Sequence, residues 1–243
     1  LSETDSHLGE EGYRLDVSDE STLLVAYRPA GLAHGVQTFL QLLPPEVEGD
    51  EQSDESISWI VPCLLIEDRP RFAWRGLLLD CCRHFLTIDF LKRYVDRLAY
   101  LKINVLHLHL TEDQGGRIEI RKYPRLTEVG AWRGPRGEEY GGFYTQDELR
   151  DLVAYAEERH VMVVPEIEMP AHTGAAIVSY PRIGLYPQKL GALAPSKRWT
   201  ANERVLAPRP ETVAFMQDVL TEVMELFPGK YIHIGGDEAN TAH

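Results

Sequence analysis

The sequence predicts an α/β protein, with a parallel sheet in its larger part and a small α+β segment ahead of it. Three observations carry that class. After Arg69-Pro70, short buried-type strands alternate with amphipathic helical patterns, the order that a parallel sheet requires. Before that point the chain reads as a hairpin, a helix and one further strand. The long polar excursions follow the carboxyl ends of the strands, where barrels and open α/β sheets carry their sites.

Residues 1–10 are polar and are expected to fray. Tyr13, Leu15 and Val17 alternate as in a strand, Ser18-Asp19-Glu20 turns, and Thr22–Tyr27 returns. Leu32, Val36, Phe39, Leu40 and Leu43 recur at helical spacing until Pro44-Pro45. An acidic, Ser-rich loop over 46–56 and a short strand at about 57–66 complete the segment. The expected boundary therefore divides 1–66 from 67–243. In the larger part Gly76–Asp80 is the first strand, and a helix with Thr87 as N-cap carries Ile88, Leu91, Val95, Leu98 and Leu101. Val105–Leu110 is the second strand, and the excursion 111–144 ends in the capping box Thr145-x-x-Glu148. Val161–Pro165 is the third strand, Pro210 opens a helix that stops at Pro228-Gly229, and Tyr231–Ile234 is the fourth strand.

The formal net charge of −13 is spread along the 243 residues, which argues against nucleic acid as a partner. No apolar run approaches the roughly 18 residues of a membrane span. No secretory leader is recognised, and the chain opens on Leu1, as expected of a processed product or an excised piece. Cys63, Cys81 and Cys82 read as free thiols and do not decide the compartment.

The polar residues at the strand ends are Arg83, His84, Glu112, Asp113, Glu166, Glu168, His172, Asp237 and Glu238. Singly, each acid is most simply a helix cap or a solvated charge, and His172 a structural imidazole. Their convergence on one rim points to chemistry. In Tyr231–Ala239, the pair Gly235-Gly236 permits a sharp turn that presents Asp237 and Glu238. Neighbouring side chains on extended backbone diverge. The pair is thus poorly placed to act as separate nucleophile and acid across a glycosidic bond, where two carboxyls stand about 5–5.5 Å apart. A substrate that supplies its own nucleophile removes that need.

From Gly31 to Asn240 the chain resembles the family 20 glycoside hydrolases, the β-N-acetylhexosaminidases. The matching stretches, in order, are Arg71–Asp80 (RFAWRGLLLD), Arg83-His84-Phe85, His107–Gly115 (HLHLTEDQG), Gly141–Thr145 (GGFYT), Val164–His172 (VPEIEMPAH) and His233–Glu238 (HIGGDE). The resemblance implies a partial (β/α)8 TIM barrel, a half-barrel of about four βα units behind part of an α+β domain. It implies release of terminal N-acetylglucosamine or N-acetylgalactosamine from β-linked glycans by a substrate-assisted retaining mechanism. In that reading Glu238 is the general acid/base and Asp237 orients the substrate's acetamido group. Arg83 grips the sugar hydroxyls, His172 links the loop carboxylate Glu112 to the acid, and Glu168 supports the array. No metal or organic cofactor is implied, and family membership leans towards a secreted or other extracytoplasmic setting.

The chain departs from the family pattern at three positions: Glu112 stands in place of Asp, Gly116 in place of Trp, and Ala171 in place of Gly. The later strands, which carry pocket aromatics in the family, lie beyond the fourth βα unit. A site with half its wall binds weakly, and open barrel edges invite self-association. The rival from another class is a catalytically dead half-barrel that binds sugar or associates with itself. Two further rivals rest on single motifs. Gly235–Glu238 is similar to the GG(D/E)EF loop of diguanylate cyclases, but Ala239 follows where Phe is needed. His107-x-His109 places two imidazoles on one strand face as in barrel metallohydrolases, which need further ligands.

Overall fold

The structure, a computed structural model, describes residues 3–48, 59–134, 140–186 and 204–239. It forms two compact units. One comprises Leu1–Arg75, Tyr94–Asn104 and Glu158–Val161; the other comprises Gly76–Arg93, Val105–Glu157 and Met162–His243.

In the first unit, strand β1 (Tyr13–Val17) lies between β2 (Thr22–Ala26) and β3 (Leu64–Asp68), antiparallel to both. The register sets Leu15 opposite Leu24 and Ile66. The β1–β2 turn closes through Ser18, whose hydroxyl donates to the Ser21 carbonyl and accepts from the Ser21 amide. Helix α1 (Pro29–Leu42) starts on a proline, whose fixed φ suits the first turn. It packs Leu32, Phe39 and Leu42 against Tyr13, Leu15, Val17 and Ala26. Gly31 is required there, because a Cβ would lie 2.1 Å from the Gly12 carbonyl oxygen.

Two expectations for this unit need correction. Glu3–Leu8 is not frayed but forms a 3₁₀ turn, held by the burial of Leu8 at 2% exposure. The third strand occupies Leu64–Asp68 rather than 57–66, because its pairing partner is the whole of β1. Most of the expected acidic loop, residues 49–56, lies outside the described residues.

The unit is locked by a fork-to-fork ion pair. Arg75 Nη1 and Nη2 sit 2.8 and 2.9 Å from the two Glu11 oxygens. Asn104 Nδ2 adds a 3.0 Å bond to Glu11 Oε1, and Arg75 Nε donates to the Lys102 carbonyl. Burial alone would raise the Glu11 pKa, but the Arg75 and Asn104 bonds outweigh it and hold the carboxyl below its ordinary value. Removing one partner of such a largely buried pair leaves the other uncompensated. Arg75→Ala is therefore expected to lower unfolding stability by about 3 kcal/mol, measured by urea titration, with Glu11→Gln costing less because its amide still accepts and donates.

In the second unit β4 (Gly76–Asp80), β5 (Val105–His109) and β10 (Met162–Glu166) form a parallel sheet in the order β10-β5-β4. Between them run α2 (Ile88–Tyr100), of which only Ile88–Arg93 belongs to this unit, β6 (Thr111–Glu112), β7 (Gly115–Gly116), α3 (Arg125–Glu128), β8 (Trp132–Arg133), β9 (Tyr140–Gly141) and α4 (Gln146–Glu157). After β10 come α5 (Gly174–Ser179) and α6 (Pro210–Leu226). Thr87 caps α2 by accepting from the Phe90 amide, and the α4 capping box closes in both directions, Thr145 N to Glu148 and Glu148 N to Thr145. Leu149, Leu152 and Ala156 form the buried stripe of α4, one face at helical spacing.

The register aligns Asp80, His109 and Glu166 side by side at the carboxyl edge. In this order each strand lies beside the next strand of the same sheet along the chain, as crossover connections between parallel strands produce. The expected fourth strand at 231–234 is reduced to a single parallel bridge, His233 to Glu166. Three backbone bonds hold it: His233 N to Pro165 O, Ile167 N to His233 O, and Met169 N to Ile234 O. It pairs on one side only among the described residues, and Gly235 and Gly236, at φ +64 and +101, turn the chain out of register directly after it.

Candidate active site at the strand carboxyl ends

The aligned edge residues begin the site. Asp80, last in β4, accepts from the amides of Cys82 and Arg83 at 2.8 and 3.0 Å, so one carboxylate shapes the loop that carries Arg83. It also holds the Arg83 guanidinium at 3.0 Å. The other Arg83 amino group lies 2.9 Å from Glu112 Oε2. The remaining Glu112 oxygen accepts from the Asp113 amide and from His172 Nδ1, at 2.8 and 2.9 Å. Glu112 is 2% exposed. With Glu in place of Asp, the extra methylene still brings the carboxylate to both cations.

His172 stands at φ +52 in the loop after β10. Its Nε2 faces Asp237 Oδ2 at 3.5 Å and Glu238 Oε2 at 3.2 Å. Burial opposes its charge, but Glu112, Glu168 and Asp237 together raise its pKa above the ordinary histidine value. The expectation that Asp237 and Glu238 diverge is overturned. Positive φ at Gly235, Gly236 and Glu238 twists the segment out of extended geometry, and both carboxylates reach one imidazole nitrogen.

Glu168 lies beneath this turn. A Cβ on Gly235 would stand 1.7 Å from Glu168 Oε2, so only glycine fits over it. Burial first, then Glu166 and Asp237, push the Glu168 carboxyl up to about 7, which leaves it substantially protonated near neutrality. Asp113 accepts from the Gly174 amide at 2.8 Å and is raised to about 6 by burial, against that bond. His84 does not join the rim; its Nδ1 meets the Tyr140 hydroxyl at 3.2 Å.

Two features had no assigned role in the sequence reading. The first is a cluster around Glu166. His107 Nε2 and His109 Nδ1 lie 2.8 and 2.7 Å from Glu166 Oε2, and His233 Nδ1 lies 2.9 Å from Oε1. Burial alone would raise Glu166, yet the His107 and His109 bonds hold it well below the usual carboxylate range. Glu166 and His233 supply the further donors a metallohydrolase reading would need beside His107. His109 Nδ1 is hydrogen-bonded to Glu166, while His107 Nε2 and His233 Nδ1 stand at ion-pair distance from it and His233 Nδ1 also accepts from the Gly235 amide. The period-two spacing of His107 and His109 was its only sequence signal.

The second is Arg117, 0% exposed. Its guanidinium donates to the carbonyls of Cys81, Cys82, Ala131 and Gly142 at 3.0, 2.6, 2.6 and 3.0 Å. It thereby joins the loop before Arg83 to two other rim loops. The sequence signal was Gly115-Gly116 just before it: a Cβ on Gly115 would meet Arg117 Cζ at 2.4 Å. Gly116, by contrast, lines a small apolar cavity of about 40 Å³ with Ile118, Leu126 and Phe215.

These geometries match known proteins over both units. The profile of glycosyl hydrolase family 20, catalytic domain, matches residues 72–243, and that of domain 2 of the same family matches 1–69. A Porphyromonas gingivalis beta-hexosaminidase is 46% identical over 233 residues, covering 95% of this chain and 29% of its own. A Cellulomonas fimi beta-N-acetylhexosaminidase is 40% identical, with 96% and 45% covered. The solved Streptomyces plicatus N-acetyl-beta-hexosaminidase in complex with Thio-NAglucal superposes with a TM-score of 0.88 at 46% identity, covering 95% of this chain and 45% of that one. The chain thus spans less than half the length of these relatives.

The pKa of His109 sets a pH window. Burial opposes its charge, but the bonds to Glu112 and Glu166 raise it from 6.5 to about 9. A raised pKa means that the folded state binds the proton more tightly than the unfolded chain. The stabilisation is fully present below pH 6.5 and is lost as pH rises through about 9. Urea midpoints between pH 6 and 10 are expected to fall by the equivalent of up to about 3 kcal/mol, and His109→Gln is expected to flatten that slope.

Proposed function

The chain belongs to glycosyl hydrolase family 20, and from that premise we propose that it carries the acid and acetamido-orienting side of a β-N-acetylhexosaminidase site. Its substrates are glycans that end in β-linked N-acetylglucosamine or N-acetylgalactosamine. Glu238 protonates the leaving glycosidic oxygen while the carbonyl oxygen of the substrate's 2-acetamido group attacks the anomeric carbon. Asp237 accepts the acetamido N–H and offsets the positive charge of the resulting oxazolinium ring. Glu238, now ionised, takes a proton from the water that reopens the ring, so configuration is retained. Arg83 binds sugar hydroxyls with its multi-donor fork, His172 connects Glu112 to the acid, and Glu168 supports the turn at Gly235. Neither metal nor organic cofactor enters these steps.

What supports this reading is the meeting of Asp237 and Glu238 at His172 Nε2. Adjacent carboxylates gathered at one imidazole cannot flank a sugar as nucleophile and acid, but they suit a substrate whose own amide is the nucleophile. We read 67–243 as the first half of a (β/α)8 barrel and 1–66 as part of the α+β domain before it. The edge strand β4 exposes Leu77 and Leu78 at 44% and 54%, and Ile234 is 52% exposed at the other edge. Such edges invite pairing, which favours self-association of the 243 residues through them.

The 243 residues alone are expected to release nitrophenol from p-nitrophenyl N-acetyl-β-glucosaminide at little more than the uncatalysed rate. In the natural gene product, Glu238→Gln is expected to lower kcat by about 10² to 10⁴ with KM little changed, and p-nitrophenyl β-glucoside, which lacks the amide, is expected not to be cleaved. Equal turnover of the two substrates would sink the substrate-assisted step. Light scattering on the 243-residue protein is expected to report a dimer or larger species; a monomer at all concentrations would remove the edge-pairing argument.

A further inference from the structure

A series of alternating carboxylates and imidazoles runs through the site, hydrogen-bonded at Glu166–His109 and Glu112–His172 and at ion-pair distance at the other two links. Glu166 Oε2 meets His109 Nδ1 at 2.7 Å, and His109 Nε2 faces Glu112 Oε2 at 3.4 Å. Glu112 Oε1 meets His172 Nδ1 at 2.9 Å, and His172 Nε2 faces Glu238 Oε2 at 3.2 Å. Glu166, His109, Glu112 and His172 are each 5% exposed or less, and Glu238 is exposed. Water therefore cannot screen the links among the four buried groups from one another. Glu166 is anchored at the far end by His107 and His233.

From this we infer that Glu166 and His109 are positioning residues, which act through Glu112 to set how firmly His172 holds its proton beside Asp237 and Glu238. The inference rests on the proposed role of Glu238, but its first half stands on the distances alone. Glu112 is shared by three cations or potential cations: Arg83, His109 and His172. Each one that is charged weakens the hold of the carboxylate on the others. Glu166 keeps a proton on His109, and His109 in that state draws Glu112 away from His172. The Nε2 proton of His172 is then more readily shared with the rim carboxylates.

The full set of charged neighbours is compatible with that reading. His109 faces Glu166, Glu112, Glu168, Arg83 and Asp80. His172 faces Glu112, Asp113, Glu168, Asp237 and Glu238. Among these, Glu112 and Glu168 act on both imidazoles, and Glu112 is the one in ion-pair contact with each. Neutralising His109, by whatever means, should therefore move His172 in one direction.

The test is an NMR pH titration of the nine imidazoles in histidine-labelled protein, assigned by single His→Gln variants. His109→Gln removes the cation. Glu166→Gln keeps the imidazole but removes the anion that charges it, and serves as the second variant should the first fail to fold. Both are expected to raise the His172 titration midpoint by about one pH unit, and Glu166→Gln also to lower that of His109. Glu166→Asp, which keeps the charge, is expected to restore most of the His172 value. A His172 midpoint that stays put or falls in the folded variants overturns the inference, since a purely structural role for Glu166 would leave that ionisation unmoved. The titration uses intact Asp237 and Glu238, so its outcome is separate from whether Glu238 proves to be the acid.

Discussion

A carboxylate taken out of water is tolerated only where cations meet it, because its desolvation costs several kcal/mol. Glu112 is such a carboxylate, and besides His109 of β5 it meets cations from two different loops: Arg83 from the loop after β4 and His172 from the loop after β10. Glu112 itself follows β5. One buried charge thus ties together the carboxyl ends of three strands, and none of the three loops can relax without leaving it unpaired. Arg117 serves the same end from below. It is a buried cation that settles on carbonyl oxygens, two of them from the residues just before Arg83. The inner charges of the rim are buried in mutually dependent pairs, while Asp237 and Glu238 stay exposed.

Much of this was legible in the sequence because the relevant signals are local. Strand boundaries at Gly76–Asp80 and Val105–His109, the Thr87 cap and the Thr145–Glu148 box follow from patterns spanning a few residues. The rim itself was legible for a different reason: a parallel sheet brings every strand's carboxyl end to one edge, so polar residues at those positions must meet. Long-range pairings were less visible. That Leu8 would find a buried place, or that His233 would turn its ring to Glu166, depends on what the rest of the chain presents to them. An imidazole in a strand looks the same whether it is a ligand, a base or the partner of a carboxylate two strands away.

The divergence expected of Asp237 and Glu238 failed for a backbone reason. Period-two alternation holds only while φ stays negative and extended. Gly235 and Gly236 announced a turn, but not that Glu238 would also adopt a left-handed φ of +48, a conformation that a non-glycine residue holds only at some cost in strain. Its carboxylate faces His172 Nε2, whose raised pKa favours the charged imidazole. That attraction can hold the strained backbone, and Glu168 beneath Gly235 fixes where the turn must sit. Strain and electrostatics here are two sides of one arrangement.

The polar and apolar parts of the larger unit obey different rules. Along the carboxyl edge, Asp80, His109, Glu166 and His233 find their partners among themselves and the adjoining loops. One layer down, at Leu77 and Leu78, the edge strand presents apolar side chains on both faces to solvent. Charge pairing is directional and short-ranged, so four loops suffice to complete it. Apolar burial has no direction and needs area, which a few strands cannot supply for their own edges. The acid–imidazole series is for that reason separable from the apolar edges: its contacts are made among these residues, whereas Leu77 and Leu78 stay exposed at the sheet edge.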